Sequence, residues 1–204
     1  MSPTPQPSPH DITRANECLF WEATEQQRAK SPDTPDNFAR VWGAIAPVLT
    51  EAALPFRDPI DLTALFRPRV GFYLASTSLL AHTTNLKTLV DALAGVDAPI
   101  EPIVYVSQPK SPEFEQAFPN ARHCLTTTPL GNWQMVRTQS IADRISAMVF
   151  VSNPMGMAFA TAMAVAPRHV WWAHKWHGLE LPYLDCYLDA CHPYLEETTI
   201  NGRQ

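Results

Sequence analysis

Apolar positions along the chain recur with one period before residue 55 and with another after residue 69. Near the start, Ile12, Ala15, Leu19, Trp21 and Ala23 fall at roughly helical spacing behind Asp11, a residue suited to a cap. The run Ser31-Pro32-Asp33-Thr34-Pro35-Asp36 breaks this pattern. A second helix is then predicted over about 37–54, with Phe38, Val41, Trp42, Ile45, Val48 and Leu49 on one face. Pro47 inside it predicts a kink or an early stop, because proline lacks an N–H and its ring clashes with the preceding turn. Residues 55–68 read as a connector.

From Arg69 onward, short apolar runs rich in β-forming residues alternate with helical patterns. Strands are predicted at 70–75, 100–106, 123–126, 147–151, 169–173 and 183–188. Helices are predicted at 83–94, 111–118, 133–144 and 155–165. Strands that are apolar on both faces and joined by helices belong to a parallel sheet covered on both sides. The expected fold class is therefore α/β: a Rossmann-like, doubly wound, mostly parallel sheet preceded by a short helical segment. The expected division is a disordered Pro-rich tail at 1–10, a helical lead-in at 11–66 and a Rossmann-like lobe at 67–204. Such sheets bind ligands beyond the carboxyl ends of their strands. That directs attention to residues 76–84, 107–111, 152–156 and 174–182.

Composition narrows the function classes. The 204 residues include 7 Gly and 20 Pro, against about 14 and 10 at average usage. Neither G-x-G-x-x-G nor the P-loop pattern occurs. Fifteen Lys and Arg against 20 Asp and Glu give a net charge of −5. The longest basic feature is Arg67-Pro68-Arg69, so the footprint of a nucleic-acid binder is absent. No apolar run reaches the ~18 residues of a membrane span, and the first ten residues do not read as a signal peptide. Cys18, Cys124, Cys186 and Cys191 form no C-x-x-C. A cytoplasmic setting with free thiols is the expectation.

His82 is the first candidate for chemistry. It stands at the start of the helix that follows the first strand, where a histidine can act as a base or donate to an oxyanion. A capping or surface histidine fits the same position. The second candidate is Trp171-Trp172-Ala173-His174-Lys175-Trp176-His177-Gly178, at the end of a predicted strand. Strand alternation sends Trp171 and Trp172 to opposite faces as core. Lys175, Trp176 and His177 are less easily buried and are candidate substrate-binding residues, with Lys suited to phosphate and Trp to stacking. Asn153 opens the turn Asn153-Pro154-Met155-Gly156, whose amides could receive a ligand oxygen. His174-x-x-His177 lacks the spacing that puts two His on one helix face. Adding Cys186, Cys191 and His192 matches no common zinc template, so no metal site is expected. Cys186, in a Tyr- and Leu-rich run, reads as buried and inert.

These residues also carry a resemblance. Arg69-Val70-Gly71-Phe72-Tyr73-Leu74 followed by His82-Thr83-Thr84-Asn85-Leu86 resembles the opening of the catalytic region of O-linked N-acetylglucosamine transferases. The run from His169 through Leu188 resembles that family's later Trp-containing stretch, and more closely that of bacterial cytoplasmic protein N-glucosyltransferases. Thr83 stands where the family carries Pro, and tetratricopeptide repeats are absent. The resemblance covers about residues 69–204. It implies a GT-B glycosyltransferase that is metal-independent and inverting, has no bound cofactor, and uses UDP-glucose or UDP-N-acetylglucosamine as donor substrate. The acceptor would be Asn or Ser/Thr of a protein. It implies an active-site base at His82 and an acceptor cleft lined by Lys175, Trp176 and His177. A GT-B enzyme has two Rossmann-like lobes, so this chain is expected to be the acceptor-side lobe, a fragment inactive without a second lobe. The alternative is a non-catalytic Rossmann-like module that binds a protein partner through its Trp- and His-rich surface.

Overall fold

A computed structural model describes residues 6–29, 34–60, 67–95, 97–152, 155–174 and 181–189. Helix α1 spans Pro9–Arg28. It begins two residues before Asp11 because Ser8 is the cap. The Ser8 hydroxyl accepts the Asp11 N–H at 3.3 Å while the Asp11 carboxylate accepts the Ser8 N–H at 2.8 Å, a reciprocal capping box. Helix α2 spans Pro35–Ala53, capped by the Thr34 hydroxyl on Asn37 N–H at 3.3 Å, and a 3-10 turn follows at Leu54–Phe56.

Helix α2 continues past Pro47 to Ala53, so of the two expected outcomes, a kink or an early stop, the early stop does not occur. It lies on the exposed side, as does Gly43 four residues earlier, so the carbonyl that loses its N–H partner faces water. Phe38, Trp42, Ile45 and Leu49, all nearly fully buried, hold the opposite face onto the core and outweigh the lost bond.

Six strands form one parallel sheet: β1 Arg69–Leu74, β2 Glu101–Val106, β3 Arg122–His123, β4 Ile145–Val151, β5 His169–Ala173 and β6 Cys186–Asp189. Their order is β3-β2-β1-β4-β5-β6, with every neighbouring pair parallel. The intervening helices are α3 Ala81–Ala92, α4 Pro112–Ala117, α5 Pro129–Ala142 and α6 Met157–Met163. This is the Rossmann-like doubly wound architecture that the apolar pattern predicts.

Strand alternation builds two cores. Phe72, Leu74, Val104, Val106, Val149 and Val151 pack with Leu86 of α3 and Phe114 of α4 on one face. Tyr73, Tyr105, Met148, Phe150 and Trp171 pack on the other with α1, α2, α5 and α6. The amino-terminal helices therefore share the sheet's larger core. Trp171 is fully buried there, while Trp172 packs against the α3–α4 face, the split expected from alternation.

Some boundaries move for local reasons. Helix α5 starts at Pro129, four residues before the predicted start, because the Thr128 hydroxyl accepts Gly131 N–H at 3.1 Å and proline is favoured in a first turn. Helix α6 is shorter than its apolar run. Gly156 and Ala164, with φ of 74° and 61°, bound it in left-handed backbone. Cys186 is exposed rather than buried, since β6 is an edge strand.

Candidate functional site

All six strands run the same way, so their carboxyl ends share one edge. The loop after β1 is fixed there by short polar ties. Thr77 Oγ1 donates to the Pro109 carbonyl at 2.7 Å, linking it to the loop after β2. The buried Thr83 hydroxyl donates to the Ser78 carbonyl at 2.9 Å, setting where α3 begins. Leu80 is the N-cap of α3 and makes no side-chain cap bond. His82, half-buried, is therefore the second residue of a helix whose start is held by Thr83.

His174, the first residue past β5, reaches the same place. Its ring centroid is 6.1 Å from that of His82, at 54°, and 4.7 Å from that of Trp172, at 34°. Burial holds the His82 imidazole below its ordinary pKa. Burial does the same for His174, and the neighbouring His82 adds to it. Both rings thus favour the neutral form more than a free imidazole does, and charging one raises the cost of charging the other. A neutral imidazole at the ligand edge of the sheet can accept a proton.

Among the sequence candidates, His82 lies at this edge. Lys175, Trp176, His177 and Asn153 lie outside the described residues. On either side of Asn153, Ser152 has φ 67° and Gly156 φ 74°, and the Ser152 carbonyl accepts the Trp171 indole N–H. Among the described residues no group of three or more His, Cys, Asp or Glu is placed to hold a metal ion, and no helix is long and apolar enough to cross a membrane.

A second feature of the edge was not found by sequence reasoning. A cavity of about 290 Å³ opens beyond the ends of β1, β2 and β4, on the face covered by α1 and α5. In this strand order the connections reverse direction between β1 and β4, where open α/β sheets characteristically receive ligands. Tyr73 comes from β1, Ser107 directly follows β2, Trp133 and Asn132 come from α5, and Phe20 and Glu22 from α1. The Tyr73 and Trp133 rings lie 4.6 Å apart.

Glu22 is 1% exposed. Its carboxyl oxygens accept the Gly156 N–H at 2.9 and 2.8 Å, and Gln26 Nε2 approaches at 3.4 Å. Burial pushes its pKa up to about 8, against the lowering effect of these bonds. The sequence did carry a signal. Glu22 follows Ala15 and Leu19 at the spacing of α1's buried stripe, and a carboxyl on an apolar stripe is unusual enough to mark.

No protein-family model matches the chain, and no curated protein matches it. Among solved structures, a mutant O-GlcNAc transferase of Thermobaculum terrenum is similar at 17% identity and a TM-score of 0.46, over 79% of this chain and 35% of that one. The chain thus spans about a third of that structure's length.

Proposed function

We propose that this chain is the acceptor-side lobe of a nucleotide-sugar-dependent protein glycosyltransferase, transferring glucose or N-acetylglucosamine to Asn or Ser/Thr. The observation that carries the reading is His82 at the start of the helix after β1, its ring beside His174, which in turn packs on Trp172 at the sheet's carboxyl edge. The motif resemblance leads to the same histidine. In this reading His82 takes the acceptor proton as the acceptor attacks the sugar C1, while the bond from C1 to the diphosphate oxygen breaks and the nucleoside diphosphate leaves with that electron pair. His174 flanks its ring and Trp172 packs on His174, and Lys175, Trp176, His177 and Asn153 are assigned to binding the acceptor and phosphate.

Exposed apolar side chains at the same edge support the completion of the site by a second lobe. Leu79 and Leu80 precede α3, Leu125 follows β3 and Met155 follows β4, each at least 41% exposed. Apolar groups gathered at a ligand edge are better accounted for by a covering partner than by solvent. They fit equally the second reading, a non-catalytic module that docks a protein here.

Calorimetric titration separates the two. The glycosyltransferase reading expects an acceptor peptide bearing Asn or Ser/Thr to bind this chain, with His82→Ala weakening it, while UDP, UDP-glucose and UDP-N-acetylglucosamine bind weakly without a second lobe. Tight UDP-sugar binding contradicts the lobe assignment. Peptide binding that is unchanged by His82→Ala and lost in Leu80→Asp favours the docking module.

A further inference from the structure

The Glu22 cavity serves none of the steps assigned to His82, which lies with the opposite face of the sheet, yet it has the make-up of a ligand site. It occupies the topological switch point. Its size is at the lower end of small-molecule pockets, about 300–1,000 Å³. Its walls are mostly apolar and aromatic, and its few polar groups converge.

Two of those groups have binding capacity to spare. The first is the Glu22 carboxyl. To ionise where it stands it needs a counter-charge, and the described lining of the cavity contains no Lys, Arg or His. Its bonds to the Gly156 N–H and the Gln26 amide use only part of its acceptor capacity, since each oxygen offers two lone pairs. The second is the Ser107 hydroxyl. It is 3% exposed, and the polar group acting on it is the Tyr73 phenol, whose pKa it lowers against burial; the contact falls short of hydrogen-bond geometry.

We propose that this cavity binds a small organic ammonium ion, its charged nitrogen against Glu22 and its apolar body among the rings of Phe20, Tyr73 and Trp133. The ammonium supplies the missing positive charge, and aromatic faces add cation–π attraction. Ser107 provides a hydroxyl acceptor for a second N–H. A neutral alcohol of the same shape gains the apolar contacts without the charge pair, so the ammonium is preferred. In the empty protein the carboxyl keeps its proton at neutral pH, and the bound cation allows it to ionise.

The test is calorimetry on the whole 204-residue chain with 2-phenylethylammonium and its neutral counterpart 2-phenylethanol. The expected result is saturable one-to-one binding of the ammonium, at least about tenfold tighter than the alcohol. Glu22→Gln, which keeps an acceptor for Gly156, should remove that preference. Ala23→Leu, which fills the cavity and leaves the carboxyl in place, should weaken both ligands. In parallel, the Gly156 amide resonance of the unmutated chain should shift on titration, a readout that does not depend on whether the variants fold. No saturable ammonium binding, equal affinity for amine and alcohol, or an unmoved Gly156 amide overturns the proposal.

Discussion

The Glu22 carboxyl accepts the Gly156 N–H with both oxygens, at 2.9 and 2.8 Å, across 134 residues of sequence. This contact ties α1 to the turn between β4 and α6. Gly156 has φ 74°, and a Cβ added to it would fall inside contact distance of the Trp133 indole. Gly156→Ala is therefore expected to cost about 3 kcal/mol or more, combining a left-handed backbone penalty of about 1–2 kcal/mol with overpacking of about 1–3 kcal/mol. Urea denaturation checks this. A loss under about 1 kcal/mol would mean that the turn relaxes freely.

Two buried groups make opposite contributions to the pH dependence of stability. The Glu22 pKa is raised to about 8. Its contribution is present below the unfolded value near 4.5 and is lost as pH rises through 8, so Glu22→Gln should flatten the decline in stability between about pH 5 and 8. The His169 pKa is lowered to about 4 by burial, outweighing the Tyr183 carbonyl and Asp185, which raise it. Its ring accepts the Ala166 N–H at Nε2 and lies 3.1 Å from the Tyr183 carbonyl at Nδ1. A neutral ring protonated at Nδ1 satisfies both contacts, whereas a charged ring loses the first. Stability should therefore fall as pH drops from about 6.5 to 4, by roughly 3 kcal/mol from this group. Melting temperatures across pH, compared with those of His169→Gln, measure that slope. An unchanged slope in the variant would remove His169 as its source.

Asp143 is the hub at the opposite edge of the sheet. Arg122 donates to its carboxylate at 2.8 and 2.6 Å, the Tyr105 hydroxyl at 2.7 Å, and Arg69 donates to its backbone carbonyl at 3.1 Å. Burial alone would raise the Asp143 pKa, but the Arg122 and Tyr105 hydrogen bonds outweigh it and hold it below the ordinary range. Asp143→Ala leaves the buried Tyr105 phenol without its acceptor, about 1–3 kcal/mol, and loses the pair with the half-exposed Arg122, up to about 1 kcal/mol more. Tyr105→Phe should cost less, about 1–2 kcal/mol. Equal costs for the two would contradict the hub role.

Thiol reactivity should rank by position. Cys124 is fully buried, and burial pushes its pKa up to about 12. Cys186 is exposed on the edge strand. Under native conditions a maleimide should label Cys186 and leave Cys124 untouched, as read by peptide mass spectrometry. Early labelling of Cys124 would mean that β3 opens readily.

The parallel sheet was legible because strands buried on both faces are apolar throughout, as in Met148-Val149-Phe150-Val151, and because helices of ordinary spacing separate them. His82 was legible because its position depends only on the strand before it and the helix after it. Boundaries set by a single side-chain oxygen were less so: Ser8 and Thr128 begin α1 and α5 earlier than the apolar pattern does. That α2 would run on past Pro47 was not legible, because the cost of a proline depends on which face it occupies, which tertiary packing decides. The Glu22 cavity needs three strand ends and two helices brought together from across the sequence, and a one-dimensional pattern shows only the odd carboxyl on the α1 stripe.

The proposed acceptor site at the carboxyl edge is centred on His82 and His174. The most direct measurement is NMR of the histidine ring protons during titration with an acceptor peptide bearing Asn or Ser/Thr, repeated with His82→Ala. The account predicts that the His82 and His174 ring signals move together and saturate, and that His82→Ala weakens the peptide about tenfold. Ring signals that stay fixed while the peptide binds elsewhere, or while it fails to bind at all, would contradict it.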